Sequence, residues 1–130
     1  MSSIKPSRFS AQREALFLTY LSAGKMHAVL FRQWQQRVIG RDWFDLEWYV
    51  RRGIPLHLEH LAKRTRQGGH WPREQAFNVE TLQMLLAQRI DHLDVAKARK
   101  EIERFIVDRK PLAIWSRSYF KELAQRIVLV

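Results

Sequence analysis

Apolar residues recur three and four positions apart along almost all of this 130-residue chain, and nowhere do they alternate cleanly with polar ones. A spacing near 3.6 buries one stripe of a helix, whereas a half-buried strand needs a spacing of two. Breakers are few and fall between the periodic stretches: Gly24, Gly40, Gly53-Ile54-Pro55, Gly68-Gly69-His70-Trp71-Pro72 and Lys110-Pro111. The pattern predicts an all-α fold, a single compact bundle of five to six helices with no sheet of consequence. The length suits one domain, and 46% hydrophobic against 28% charged residues is enough apolar surface for a packed core.

Residues 1–21 read as an N-terminal arm, partly helical from about Ala11, leading into a helical domain over residues 22–130. A first full helix is expected over about 22–36. A second runs over 42–52, with Asp42 as N-cap and Gly53 at the stop. Being apolar on more than one face, these two should be the most buried. A third is expected over 56–67 and a fourth from Asn78 to about 92. The fifth, capped by Asp94, should turn Ala98, Ile102, Phe105 and Ile106 inward. A sixth begins in a first turn containing Pro111 and reaches about 128, with Ile114, Trp115, Phe120, Leu123, Ala124 and Ile127 inward. Trp34, Trp43, Trp48 and Trp115 fall on core stripes.

The charge balance points to a partner. Lysine and arginine number 23 against 13 acids, a net of +10, and residues 1–73 carry +8 of it (13 basic, 5 acidic). Arginines outnumber lysines 16 to 7, and the guanidinium is the better bidentate ligand for phosphate. Nucleic acid, nucleotides and acidic proteins are the polyanions such a chain attracts. No cysteine is present, which excludes a disulfide framework, a thiolate nucleophile and a zinc ribbon. The apolar runs are too short to span a bilayer, and residues 1–10 carry no apolar signal core, so a cytoplasmic protein away from membranes is expected.

Lys25 and Arg32 lie seven apart on an otherwise apolar helix and so share one face. The following helix offers matching anions in Asp42 and Asp45, which form one stripe with Tyr49 at i, i+3 and i+7. An interhelical salt bridge and a phosphate-binding face both fit this arrangement. Arg51, Arg52, Arg64, Arg66 and Arg73 are candidate contacts to nucleic acid, with Trp71 as the loop ring that could stack on a base. His57 and His60 stand at i, i+3 without a third ligand, so no metal site is assigned. Gly68-Gly69 has no preceding strand and no following Lys-Ser/Thr, which excludes a phosphate loop.

The runs Gly24-Lys25-Met26-His27-Ala28, Phe31-Arg32, Gly40-Arg41-Asp42-Trp43-Phe44-Asp45 and Trp48 to Leu56 resemble the C-terminal half of AbiEii-type nucleotidyltransferases, toxins of type IV abortive-infection toxin–antitoxin systems. The likeness is strongest over 23–69 and looser to about 127. It implies an enzyme in two parts, an α/β half with a Gly-Gly-Ser/Thr motif and metal-binding acids, and a helical half contributing a lysine and an aspartate. By the resemblance, Lys25, Asp42 and Asp45 are the catalytic contributions, and Lys25, Arg32 and Arg41 contact nucleotide phosphates. Mg2+ and a nucleoside triphosphate are expected only with the catalytic half, because no Gly-Gly-Ser/Thr followed by paired acids occurs here and the chain carries no cofactor of its own. The implied partners are a nucleoside triphosphate, RNA or DNA, an antitoxin protein, or a separate chain bearing the catalytic half. The alternative is a non-enzymatic basic helical module that binds nucleic acid or a partner protein.

Overall fold

The computed structural model describes residues 8–33 and 39–130, and among them the fold is all-α. Six α-helices follow in order: α1 (Arg8–Phe31), α2 (Ile39–Arg51), α3 (Leu58–Gln67), α4 (Val79–Asp91), α5 (Val95–Glu103) and α6 (Arg117–Gln125). A 3-10 turn, Lys110–Ile114, precedes the last. The only strand-like pairing among the described residues is a parallel bridge between Leu56 and Leu129. Three backbone bonds hold it, Leu56 N–H to Val128 O, Val130 N–H to Leu56 O and Leu58 N–H to Val130 O.

α2 is the hub, packed against α1, α5 and α6, while α1 also meets α3 and α4. Ile39, Trp43, Leu46 and Val50 of α2 join Met26, Val29 and Leu30 of α1 in the core, together with Leu61, Leu82, Leu86, Ile90, Ala98, Ile102, Trp115 and Phe120. Gly40 permits the closest approach. A Cβ there would lie 2.1 Å from the carbonyl oxygen of Ala98 on α5, so only glycine lets these helices touch backbone to backbone.

Several sequence expectations give way to tertiary context. The first helix starts at Arg8 and ends at Phe31, so the arm and the core share one continuous rod. Trp34 and the expected stretch to residue 36 lie outside the described residues. α2 begins at Ile39, so Asp42 is a first-turn residue and not the cap. Glu101 of α5 supplies that function, its Oε2 accepting from the amides of Ile39 (2.8 Å) and Gly40 (3.3 Å). α5 stops at Glu103, which takes Phe105 out of helical register and leaves it 66% exposed. Pro111 starts the 3-10 turn rather than α6; at three residues per turn Leu112 and Trp115 go inward and Ile114 outward. α6 itself is capped by Ser116, whose Oγ accepts from the Tyr119 amide. Trp48 sits at the edge of α2, exposed, instead of in the core.

Candidate functional site

α1 and α2 run side by side with two ion pairs between them. Lys25 Nζ meets Asp45 Oδ2 at 2.8 Å, and Arg32 Nη1 meets Asp42 Oδ1 at 2.7 Å. The spacing of seven on α1 and three on α2, taken in opposite directions, pairs first with last and last with first. The pairs differ in burial. Lys25 and Asp45 keep 41% and 27% of their side chains in solvent, whereas Arg32 at 37% reaches down to Asp42 at 4%. Burial pushes the Asp42 carboxyl above the ordinary carboxylate range, against the opposing pull of Arg32 and Lys25. Its Oδ2 is buried and accepts no hydrogen bond from the described residues.

Arg89 of α4, which sequence spacing did not single out, backs this arrangement. Its guanidinium donates to the carbonyls of Val29 (Nε, 2.9 Å) and Arg32, fixing the end of α1 where the Arg32 side chain departs. Because α4 is distant in sequence, no pattern within α1 or α2 could have revealed it. Tyr49, which shares the stripe of Asp42 and Asp45, is half-buried with its ring edge-on to Trp48. Arg41 is exposed.

Next to the ion pairs lies a pocket of ≈ 370 Å3 lined by Gly24, His27, Ala28 and Phe31 of α1, by Arg32 and Gln33 just after it, by Arg64 of α3 and by His70 beyond that helix. Positions 24, 27, 28 and 31 make one helical face. The His70 ring stacks on Phe31 at 4.5 Å with the planes 8° apart, forming a flat wall. Gly24 is where Arg64 crosses α1, for a Cβ there would come within 3.0 Å of Arg64 Nη1. His27 has its pKa lowered, first by burial and then by Arg64 and His70, which disfavours its charged form. Its Nε2 is buried without a partner among the described residues. Arg32 thus belongs to both places, bonded to Asp42 on one side and lining the pocket on the other.

The residues singled out for nucleic acid are not brought together. Arg64 lines the pocket just described. Arg51 and Arg52 line a second concavity on α2, with Phe44, Glu47, Trp48 and Pro111. Arg66 and Arg73 border a third with Glu59 and Lys63, and Arg66 also donates to the carbonyl of Gln75 at 2.9 Å. Trp71 is half-buried against the core; its indole N–H donates to the Ala76 carbonyl and its ring stands edge-on to Phe77. His57 accepts the His60 amide at Nδ1 as the cap of α3, and its ring stacks on Tyr20 at 4.6 Å.

Glu47 was also invisible to helical spacing. It is buried, and its Oε2 accepts from the Trp115 indole N–H at 3.2 Å and from the Tyr119 hydroxyl. Burial and the Glu47 charge push the Tyr119 pKa up to about 12, so its proton stays in place. Asp45 and Glu47 have the spacing of an Asp-x-Glu pair, but on a helix they point to different sides, Asp45 to Lys25 and Glu47 to α6. They cannot share a cation.

The sequence model of one protein family, described as nucleotidyl transferase AbiEii toxin of the type IV toxin–antitoxin system, matches residues 15–126. No curated protein and no solved structure matches the chain. With most of its length covered, the chain belongs to the AbiEii nucleotidyltransferase toxin family.

Proposed function

From membership of the AbiEii family as the premise, we propose that this chain forms the helical, phosphate-holding side of a nucleotidyltransferase site. Lys25, Arg32 and Arg41 contact the phosphates of a nucleoside triphosphate, and Asp42 and Asp45 hold the first two cations in place. One observation carries the reading: each of Lys25 and Arg32 is pinned by a carboxylate on α2 and still keeps over a third of its side chain in solvent. An ammonium has three donors and a guanidinium five. One contact to an aspartate therefore leaves donors aimed outward in a fixed position, which is what recognition of a phosphate chain requires. The adjacent pocket adds Arg64 and the Phe31–His70 wall, room for the remainder of the nucleotide.

Nucleotidyl transfer in such a family draws on divalent metal to neutralise the phosphates and polarise the reacting phosphorus. The residues described here do not fit that group. No three metal-capable side chains cluster among them, and Asp42 and Asp45 are each neutralised by a cation already. We assign the metal to the catalytic half that carries the Gly-Gly-Ser/Thr motif, and this chain by itself holds nucleotide without transferring it. An antitoxin protein is the partner that the family description implies.

Titration of the four nucleoside triphosphates into wild type, Lys25→Ala and Arg32→Ala tests the reading. Each substitution should weaken triphosphate binding about tenfold, as expected for one lost charge-assisted contact. Adding a catalytic half from the same family in trans should give transfer that depends on Lys25. Large destabilisation by Lys25→Ala with unchanged nucleotide binding would instead make the Lys25–Asp45 pair purely structural.

A further inference from the structure

The concavity on the other side of α2, ≈ 430 Å3 between Phe44, Glu47, Trp48, Arg51, Arg52 and Pro111, takes no part in the reading above. Positions 44, 47, 48 and 51 form one face of α2, turned away from the Asp42/Asp45 stripe. Its chemistry is unusual for a basic chain. Glu47 is 4% exposed, and no lysine or arginine among the described residues pairs with it. Trp115 and Tyr119 both donate to Oε2, and the same carboxylate lines the concavity. A buried carboxylate with no cation beside it favours a ligand that can donate to it. Trp48 is exposed, with the Arg52 guanidinium 4.1 Å from its ring centroid, holding the indole in place. Arg51 and Arg52 stand at the rim as exposed cations.

A ligand for this pocket must carry a hydrogen-bond donor at one end, a flat ring in the middle and negative charge at the other. A cationic side chain would meet Arg51 and Arg52, and an acidic one would meet Glu47. A nucleotide with an amino-bearing base satisfies all three demands. We propose that this pocket is a base-recognition subsite for a single nucleic-acid strand, in which the amino group of a base such as cytosine donates to the Glu47 carboxylate, the base lies against Trp48, and Arg51 and Arg52 take the flanking phosphates. A carboxylate accepting from the cytosine amine is an established mode of base readout, and stacking on an indole adds affinity without regard to sequence. The subsite is separate from Lys25 and Arg32, so it stands whether or not those residues bind triphosphate.

The experiment is fluorescence anisotropy of labelled pentacytidylate and pentauridylate with the full chain at 50 mM salt. The two strands differ where cytosine has an amine and uracil a carbonyl, which a carboxylate repels. Wild type should prefer pentacytidylate about tenfold. Trp48→Ala should cost about tenfold for that strand. Glu47→Gln, which replaces an acceptor by a group that can donate, should abolish or reverse the preference. If Glu47→Gln does not fold by circular dichroism, Trp48→Ala and the pair Arg51→Ala/Arg52→Ala, all at exposed positions, carry the test. Triphosphate titration of these exposed variants should match wild type. Equal affinity for the two strands with no effect of Trp48→Ala overturns the proposal, and so does the absence of any strand binding.

Discussion

At the scale of single residues, the two ion pairs look alike in distance and differ in consequence. Removing Lys25 leaves Asp45 in contact with water, so Lys25→Met should cost under about 1 kcal/mol in urea unfolding, as for other exposed pairs. Removing Arg32 strands Asp42, whose side chain is 4% exposed, and Arg32→Met should cost roughly 2–3 kcal/mol, below the range for a fully buried pair because Arg32 itself is wet. His27 gives a pH dependence of known sign. Its folded pKa lies below the unfolded value of 6.5, so on acidification the unfolded chain takes up this proton before the folded one does. The stability it contributes is complete above the unfolded pKa and is lost as pH falls from there toward the folded value. Urea midpoints measured from pH 7.5 to 5.5 should therefore drop, and should drop less in His27→Gln.

At the scale of helices, two glycines make opposite predictions. Gly40→Ala drives a methyl into the Ala98 carbonyl, a backbone atom held in α5, and should destabilise by about 3 kcal/mol. Gly24→Ala meets only the mobile end of Arg64, so it should cost well under that while displacing Arg64 from the pocket and weakening triphosphate binding. Thermal melts of both variants check the ordering. The helices themselves were legible because Met26, Val29 and Leu30, or Leu82, Leu86 and Ile90, advertise a buried stripe. The facing of Lys25 and Arg32 onto Asp42 and Asp45 could be read the same way, since both helices carry their charges at helical spacing. Glu47 could not. Its partners, Trp115 and Tyr119, lie 68 and 72 residues on, and periodicity reports only a helix's own faces. Helix from about Ala11 was legible, but its continuity with the core helix was not, because residues 10–17 are exposed on every side and leave no stripe to join to the next.

For the molecule as a whole, a net charge of +10 sets how binding responds to salt. A single strand held through three phosphates should lose about twentyfold in affinity between 50 and 200 mM salt, by a slope of roughly −0.7 per phosphate. Anisotropy at the two concentrations measures this, and the Arg51→Ala/Arg52→Ala variant should show the shallower slope.

The long first helix has a consequence in time rather than in space. Its 24 residues are one hydrogen-bonded rod, yet among the described residues only the part from about Leu18 onward is buried against the body. A helix of some ten residues is marginal in water when nothing packs on it. The outer turns therefore hold their shape only because the inner turns have already set the register, and they open without unfolding anything else. Amide hydrogen exchange along α1 should rise steadily from Val29 outward to residue 10, a clock running faster with each turn, while Trp43 and Leu46 of α2 exchange only as the whole protein unfolds.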